Sequence, residues 1–187
     1  MERLKAFTDG VIAIIITIMV LELKAPEEAG LHALQPLLPI LFSYVLSFVA
    51  VGVYWLNHRR HFELAEHVTG AVQWWNLQTL FLLSLFPFVT AWMDDNHDEA
   101  LPVALFGALN LITGLSNVLL VKALVQANGP DSPIGRAIQA DRPKALATVL
   151  LYLAGIGLSF VQPMLSFGCY AAAALIWVVP SRPGHAA

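Results

Sequence analysis

Apolar residues in this chain come in long unbroken runs, with polar residues gathered between them. Runs of this length argue for buried helices; half-buried strands would alternate. A helix needs roughly 20 residues to cross about 30 Å of hydrocarbon. Six runs come close to that, at 4–23, 34–56, 71–92, 101–125, 144–160 and 164–179. The last two are separated by VQP, which predicts a tight helical hairpin, and Pro87 in LFPF is placed to kink the third. The stretch 128–142, with NGPDSP and DRP, reads as an irregular linker. The pattern predicts one all-α integral membrane domain over 1–187 with six transmembrane helices, and no internal repeat is visible.

Composition supports this. The 187 residues are 58% hydrophobic and 12% charged, with a mean hydropathy of +0.69. Soluble domains carry roughly 25% charged residues, and a chain of this size cannot hide so much apolar surface from water. A net charge of −3 excludes a strongly basic nucleic-acid binder. Cys169 sits in an apolar run and reads as inert packing. The apolar stretch 11–21 has the length of a signal-peptide core but ends in LELKAPEE without a small-x-small cleavage pattern, so it is expected to remain as the first span.

Basic residues set the orientation. With six spans, Arg3, Lys5, Arg59, Arg60, Lys122, Arg136, Arg142, Lys144 and Arg182 fall on one side, while EEAG and DDNHDE fall on the other. Both termini are therefore expected in the cytoplasm of a multi-pass cell-membrane protein. Trp55, Trp74, Trp75, Trp92 and Trp177 lie near run ends, as interfacial anchors do.

Some polar residues inside the runs need an account. Asp9 either caps a helix starting just after it, with Thr8 as the other candidate cap, or belongs to a buried polar network. Gly10, Ile14, Thr17 and Leu21 are spaced by 4, 3 and 4 residues and share one helix face. That face suits packing against another helix, and pore lining is the second reading. YWLNHRRHF and QWWNLQTL put Asn57, His58, Asn76 and Gln78 at the depth of Arg3 and Asp9, where they can satisfy one another. His58 and His61 have a spacing that could face a metal, but Arg59 and Arg60 stand between them and no acidic or thiol partner follows, so no tightly bound metal is expected. Asn110, Thr113, Ser116 and Asn117, like Gly155 and Gly157, suit close helix packing. DDNHDE suits a solvated, cation-attracting rim. No nucleotide-binding, hydrolase or metalloprotease pattern occurs, so an enzyme is not indicated and no cofactor is expected.

RLKAFTDGVIAIIITIMVLEL, followed by YWLNHRRHF, closely resembles the bacterial branch of the transmembrane protein 175 family, six-helix potassium-permeable channels related to the lysosomal potassium channel. The family hallmark is Arg, three residues, then Phe-Ser-Asp; here it reads Arg3, then Phe7-Thr8-Asp9, with Thr in place of Ser. The likeness covers the first three runs well. It implies a homotetramer in the lipid bilayer whose first helices line a central pore for monovalent cations, with K+ as the permeant ion and no cofactor. It further implies that Ile14 forms the constriction, that Thr17 is the layer where K+ rests transiently, and that Leu21 is a second apolar layer, with Gly10 on the same face. The signature residues Arg3, Phe7, Thr8 and Asp9 would be held by polar partners, for which Trp55, His58 and Asn76 are the candidates. Nothing resembles the TVGYG filter, so modest selectivity for K+ over Na+ is expected. The alternative is a proton- or ion-coupled secondary transporter using Asp9.

Overall fold

In the computed structural model, which describes residues 1–26 and 29–179, each of the six expected stretches is helical. α1 spans Glu2–Met19 and tightens into a 3-10 turn at Val20–Glu22. A 3-10 segment, Leu31–Leu37, leads into α2, Leu38–Leu64. The third stretch is in two pieces, α3 Gly70–Leu83 and α4 Phe86–Asp95. α5 Ala100–Asn128, α6 Pro133–Ser159 and α7 Pro163–Val178 follow. Four stretches, Glu2–Glu22, Leu31–Leu64, Gly70–Asp95 and Ala100–Asn128, are long and apolar enough to cross a membrane; α7 is apolar but has 16 residues. Glu27 and Glu28 of the EEAG segment, and the tail with Arg182, lie outside the described residues.

The third stretch breaks where Pro87 dictates. Proline has no N–H to give the carbonyl four residues back, and its ring crowds that carbonyl. α3 therefore ends at Leu83, the Ser84 hydroxyl donates to the Phe81 carbonyl at 2.7 Å, and α4 restarts with Pro87 in its first turn. The stretch 128–142 departs further from expectation. It is not a linker, because α5 runs to Asn128 and α6 starts at Pro133. Gly129, at φ 92°, ends α5 in a conformation that favours glycine. Ser132 caps α6 by accepting from the Gly135 N–H at 3.2 Å, with Pro133 in the first turn. The breaker residues thus mark two helix ends close together, and Pro143 is carried inside α6.

The helices pack with α5 against α3 and α6, α6 against α7, and α1 against α2, α3 and α4. Most buried apolar residues form one cluster that includes Ile12, Ile15, Phe86, Phe106 and Tyr170; a second gathers Phe62, Val72, Leu124 and Ile134. Directional bonds tie the helices where apolar packing cannot discriminate core from lipid. Ser47 accepts from Thr90 at 2.8 Å, Thr79 pairs with Ser116 at 2.9 Å, and the Tyr152 hydroxyl donates to Asn110 Oδ1 at 3.0 Å. The Asn128 side chain accepts the Glu66 and His67 N–H groups, both at 2.8 Å, fastening the α2–α3 connection to the end of α5. Cys169 is free and partly buried against the main core.

Tyr170 on α7 is fully buried in a slot between two glycines, its hydroxyl donating to the Val103 carbonyl at 3.0 Å. A Cβ at Gly107 would lie 2.3 Å from the Tyr170 hydroxyl oxygen, and one at Gly155 would lie 2.4 Å from its ring. Gly157 faces open space instead, so the close-packing role expected of the pair belongs to Gly155. Gly155→Ala and Gly107→Ala should each destabilise the protein by about 1–3 kcal/mol through overpacking, while Gly157→Ala should be near neutral. Thermal unfolding followed by circular dichroism in detergent checks this; equal melting of all three would show that the slot is not tight.

Candidate functional site

α1 starts at Glu2 with no side-chain cap, so Thr8 and Asp9 lie inside the helix and the capping reading is overturned. Successive residues on a helix point about 100° apart, and these two use the difference. Thr8 turns into the chain's own helix packing, fully buried, and its hydroxyl oxygen accepts from Asn76 Nδ2 at 2.9 Å. Asp9 stays exposed and its Oδ1 accepts from the Trp55 indole N–H at 2.8 Å. The amide of Asn76 gives its other end to His58, with Nε2 and Oδ1 2.9 Å apart. Because the Asn76 nitrogen is spent on Thr8, its oxygen faces the histidine, and Nε2 carries the proton. His58 also stacks on Phe62, ring centroids 4.3 Å apart.

This cluster joins α1, α2 and α3 through side chains that the sequence had singled out. Trp55, His58 and Asn76 bond with the signature pair Thr8 and Asp9; Arg3 and Phe7 are exposed and stand outside the bonds. The methyl that distinguishes Thr8 from serine is buried with the rest of its side chain. Asn57 and Gln78 do not join, as Gln78 is exposed and Asn57 turns to another side of α2. A feature not anticipated is the support of Trp55 by Arg59, whose guanidinium lies 5.9 Å from the ring centre and pairs with Glu63 at 2.8 Å. An Arg–Glu pair four residues apart on a helix is a readable signal for it. Among the other expected anchors, Trp74 is exposed, whereas Trp177 turns to α6, donating to Thr148 Oγ1 at 2.8 Å.

α1 has two unlike faces. Thr8, Ile12, Ile15 and Met19 are buried within the chain, Ile12 and Ile15 at 2% and 4% exposure. Gly10, Ile14, Thr17 and Leu21 all face away from it, Ile14 and Leu21 at 59% and 77% exposure. The Thr17 hydroxyl donates to the Ile14 carbonyl at 2.9 Å, which occupies its hydrogen and leaves its oxygen lone pairs outward. In the turn that follows α1, Glu22 is exposed, as are Asp95, Asp98 and Glu99 of the DDNHDE segment; Asp94 is buried instead. Ser43 and Ser47 are buried, Ser43 donating to the Pro39 carbonyl of its own helix at 3.1 Å and Ser47 accepting from Thr90 of α4 at 2.8 Å.

Known proteins align with these features. The family model described as Endosomal/lysosomal potassium channel TMEM175 matches residues 3–87, which contain every member of the polar cluster. A potassium channel of Chryseobacterium sp. is 41% identical over 180 residues, covering 96% of this chain and 93% of the relative. The endosomal/lysosomal proton channel TMEM175 of Danio rerio is 31% identical over 125 residues, 64% of this chain and 24% of that protein. The crystal structure of a lysosomal potassium-selective channel TMEM175 homolog from Chamaesiphon minutus is similar with a TM-score of 0.75 at 27% identity, covering 95% of both chains.

Asn76→Leu removes both ends of the bridge and leaves buried groups of Thr8 and His58 unsatisfied, so it should cost about 1–3 kcal/mol. Trp55→Phe loses one exposed bond and should cost less. Melting temperatures in detergent separate the two, and an Asn76→Leu protein as stable as the parent would remove the cluster from its role in seating α1.

Proposed function

The chain belongs to the TMEM175 family, and from that membership we propose that it is a potassium-permeable cation channel of the cell membrane, a homotetramer around four copies of α1. Each chain crosses the bilayer six times with both termini cytoplasmic, a threading supported by the one-sided placement of basic residues. The observation that carries this reading is the division of α1. Its packed face is anchored by Thr8, and its outward face pairs the apolar Ile14 and Leu21 with Gly10 and Thr17. By contrast, α2 presents Leu41, Phe42, Val45 and Phe48 outward, a surface suited to acyl chains.

The mechanism follows from side-chain chemistry. Four Ile14 side chains close the pore by excluding water, and a small rotation or displacement of α1 rewets it. Four Thr17 hydroxyl oxygens, their hydrogens held by the Ile14 carbonyls, offer dipoles to a partly dehydrated cation. No full charge stands at that level, so binding stays weak enough for exit, and discrimination of K+ from Na+ stays modest. The carboxyl end of α1 and Glu22 bring negative charge to the outer mouth, where it concentrates cations. Asp9, held by Trp55, supports the rotation that the Thr8–Asn76 bond sets and lies off the conduction path.

Ile14→Ala should raise basal current in planar bilayers by widening and wetting the neck, and Thr17→Ala should change the K+/Na+ permeability ratio. Unchanged current and ratio in both variants would show that another surface lines the pore. Saturable flux locked to a counter-ion, without unitary events, would favour a carrier.

A further inference from the structure

Between α2, α5, α6 and α7, on the side of α2 away from α1, lies a cleft of two adjoining chambers. The more enclosed chamber has about 110 Å³ and the more open one about 740 Å³, and they share His61, Asn117, Val118 and Trp177 in their walls. The larger volume is that of a site for a small organic molecule. The walls are mostly apolar, yet three polar side chains there have no partner among the described residues. His61 is 4% exposed and neither ring nitrogen has a hydrogen-bond partner among the described residues. Asn57, about one turn earlier on α2, and Asn117 on α5 line the same inner chamber, also unpaired among the described residues. Buried polar groups are almost always satisfied, so the buried His61, with two partly buried asparagines converging on the same cavity, points to a ligand that bonds to them.

The wider chamber carries the charges. Asp141 and Arg60 form an ion pair at 3.0 Å beside it. Lys122 and Arg142 line its wall, with no acidic partner among the described residues. An apolar shaft, hydrogen-bonding groups at its midpoint and two cations at its mouth match the parts of a lipid in order: acyl chain, ester oxygens, phosphate. Basic pockets between membrane helices recognise such headgroups. We propose that this cleft holds an anionic phospholipid of the bilayer. Its phosphate sits by Lys122 and Arg142, its ester oxygens accept from His61 and Asn117, and its chain lies along Val118, Val149 and Trp177. This inference requires that the chain sit in a bilayer and is independent of which helix lines the pore.

Native mass spectrometry of the full chain, titrated with dioleoyl phosphatidylglycerol or dioleoyl phosphatidylcholine, tests it. The anionic lipid should be retained about thirtyfold more strongly, as two cations near a headgroup warrant. Lys122→Gln with Arg142→Gln, at exposed or rim positions that spare the fold, should abolish that preference. Ala145→Phe, which sets a ring at a wall common to both chambers, should lower retention of the anionic lipid to that of the zwitterionic one. His61→Phe, similar in volume, should weaken retention without lowering the melting temperature. Equal retention of the two lipids by the parent, a preference that survives the charge substitutions, or displacement of the lipid by millimolar inorganic phosphate would each overturn the proposal.

Discussion

One buried amide decides how the amino-terminal helix is turned. In a bilayer, apolar packing alone gives a helix little reason to prefer one rotation, since lipid tails are as apolar as the protein core. Hydrogen bonds are directional, and Asn76 has two ends with two buried partners, Thr8 on α1 and His58 on α2. Turning α1 by one residue would bring the Asp9 carboxylate toward an amide nitrogen buried among apolar groups and take it from Trp55. The outward row of Gly10, Ile14, Thr17 and Leu21 is therefore set from the opposite side of the helix, by a bond none of the four takes part in.

This division of labour also explains what could be read from the chain. The helical stretches were legible because run length is a bulk property, and the α3–α4 break because Pro87 removes one specific bond. Trp55 was a candidate only through the family resemblance, while His58 and Asn76 were legible as partners because polar residues at one depth must find each other. Which of them meet was not. Asn57 and Gln78 share that depth but not that side, and a helix apolar all round gives no sign of which side faces protein. The stretch 128–142 misled for another reason: Gly129, Pro130, Ser132 and Pro133 end one helix and begin the next within a single tight turn, and composition cannot separate that from a loop.

The segment YWLNHRRHF serves two neighbourhoods at once. Trp55, His58 and Phe62 look toward α1 and the core, while Tyr54, Asn57 and His61 line the cleft against α5, α6 and α7. Both rows follow the three- and four-residue spacing of a helix, so each is a continuous stripe on α2. The Tyr54 hydroxyl donates to the Asn110 carbonyl at 3.1 Å, and the Asn110 side chain accepts from Tyr152, which gives the wall between them a fixed register. α2 is thereby the shared wall of the two neighbourhoods.

The fastening made by Asn128 has a consequence for biogenesis. Every bond of the polar cluster joins residues within the first 76 positions, so that part of the fold can close while the rest is still on the ribosome. The α2–α3 connection, however, is secured by a side chain 61 and 62 residues downstream, and it stays unlatched until α5 has been delivered. Nascent chains thus seat their first helix early and lock the hinge beside it late.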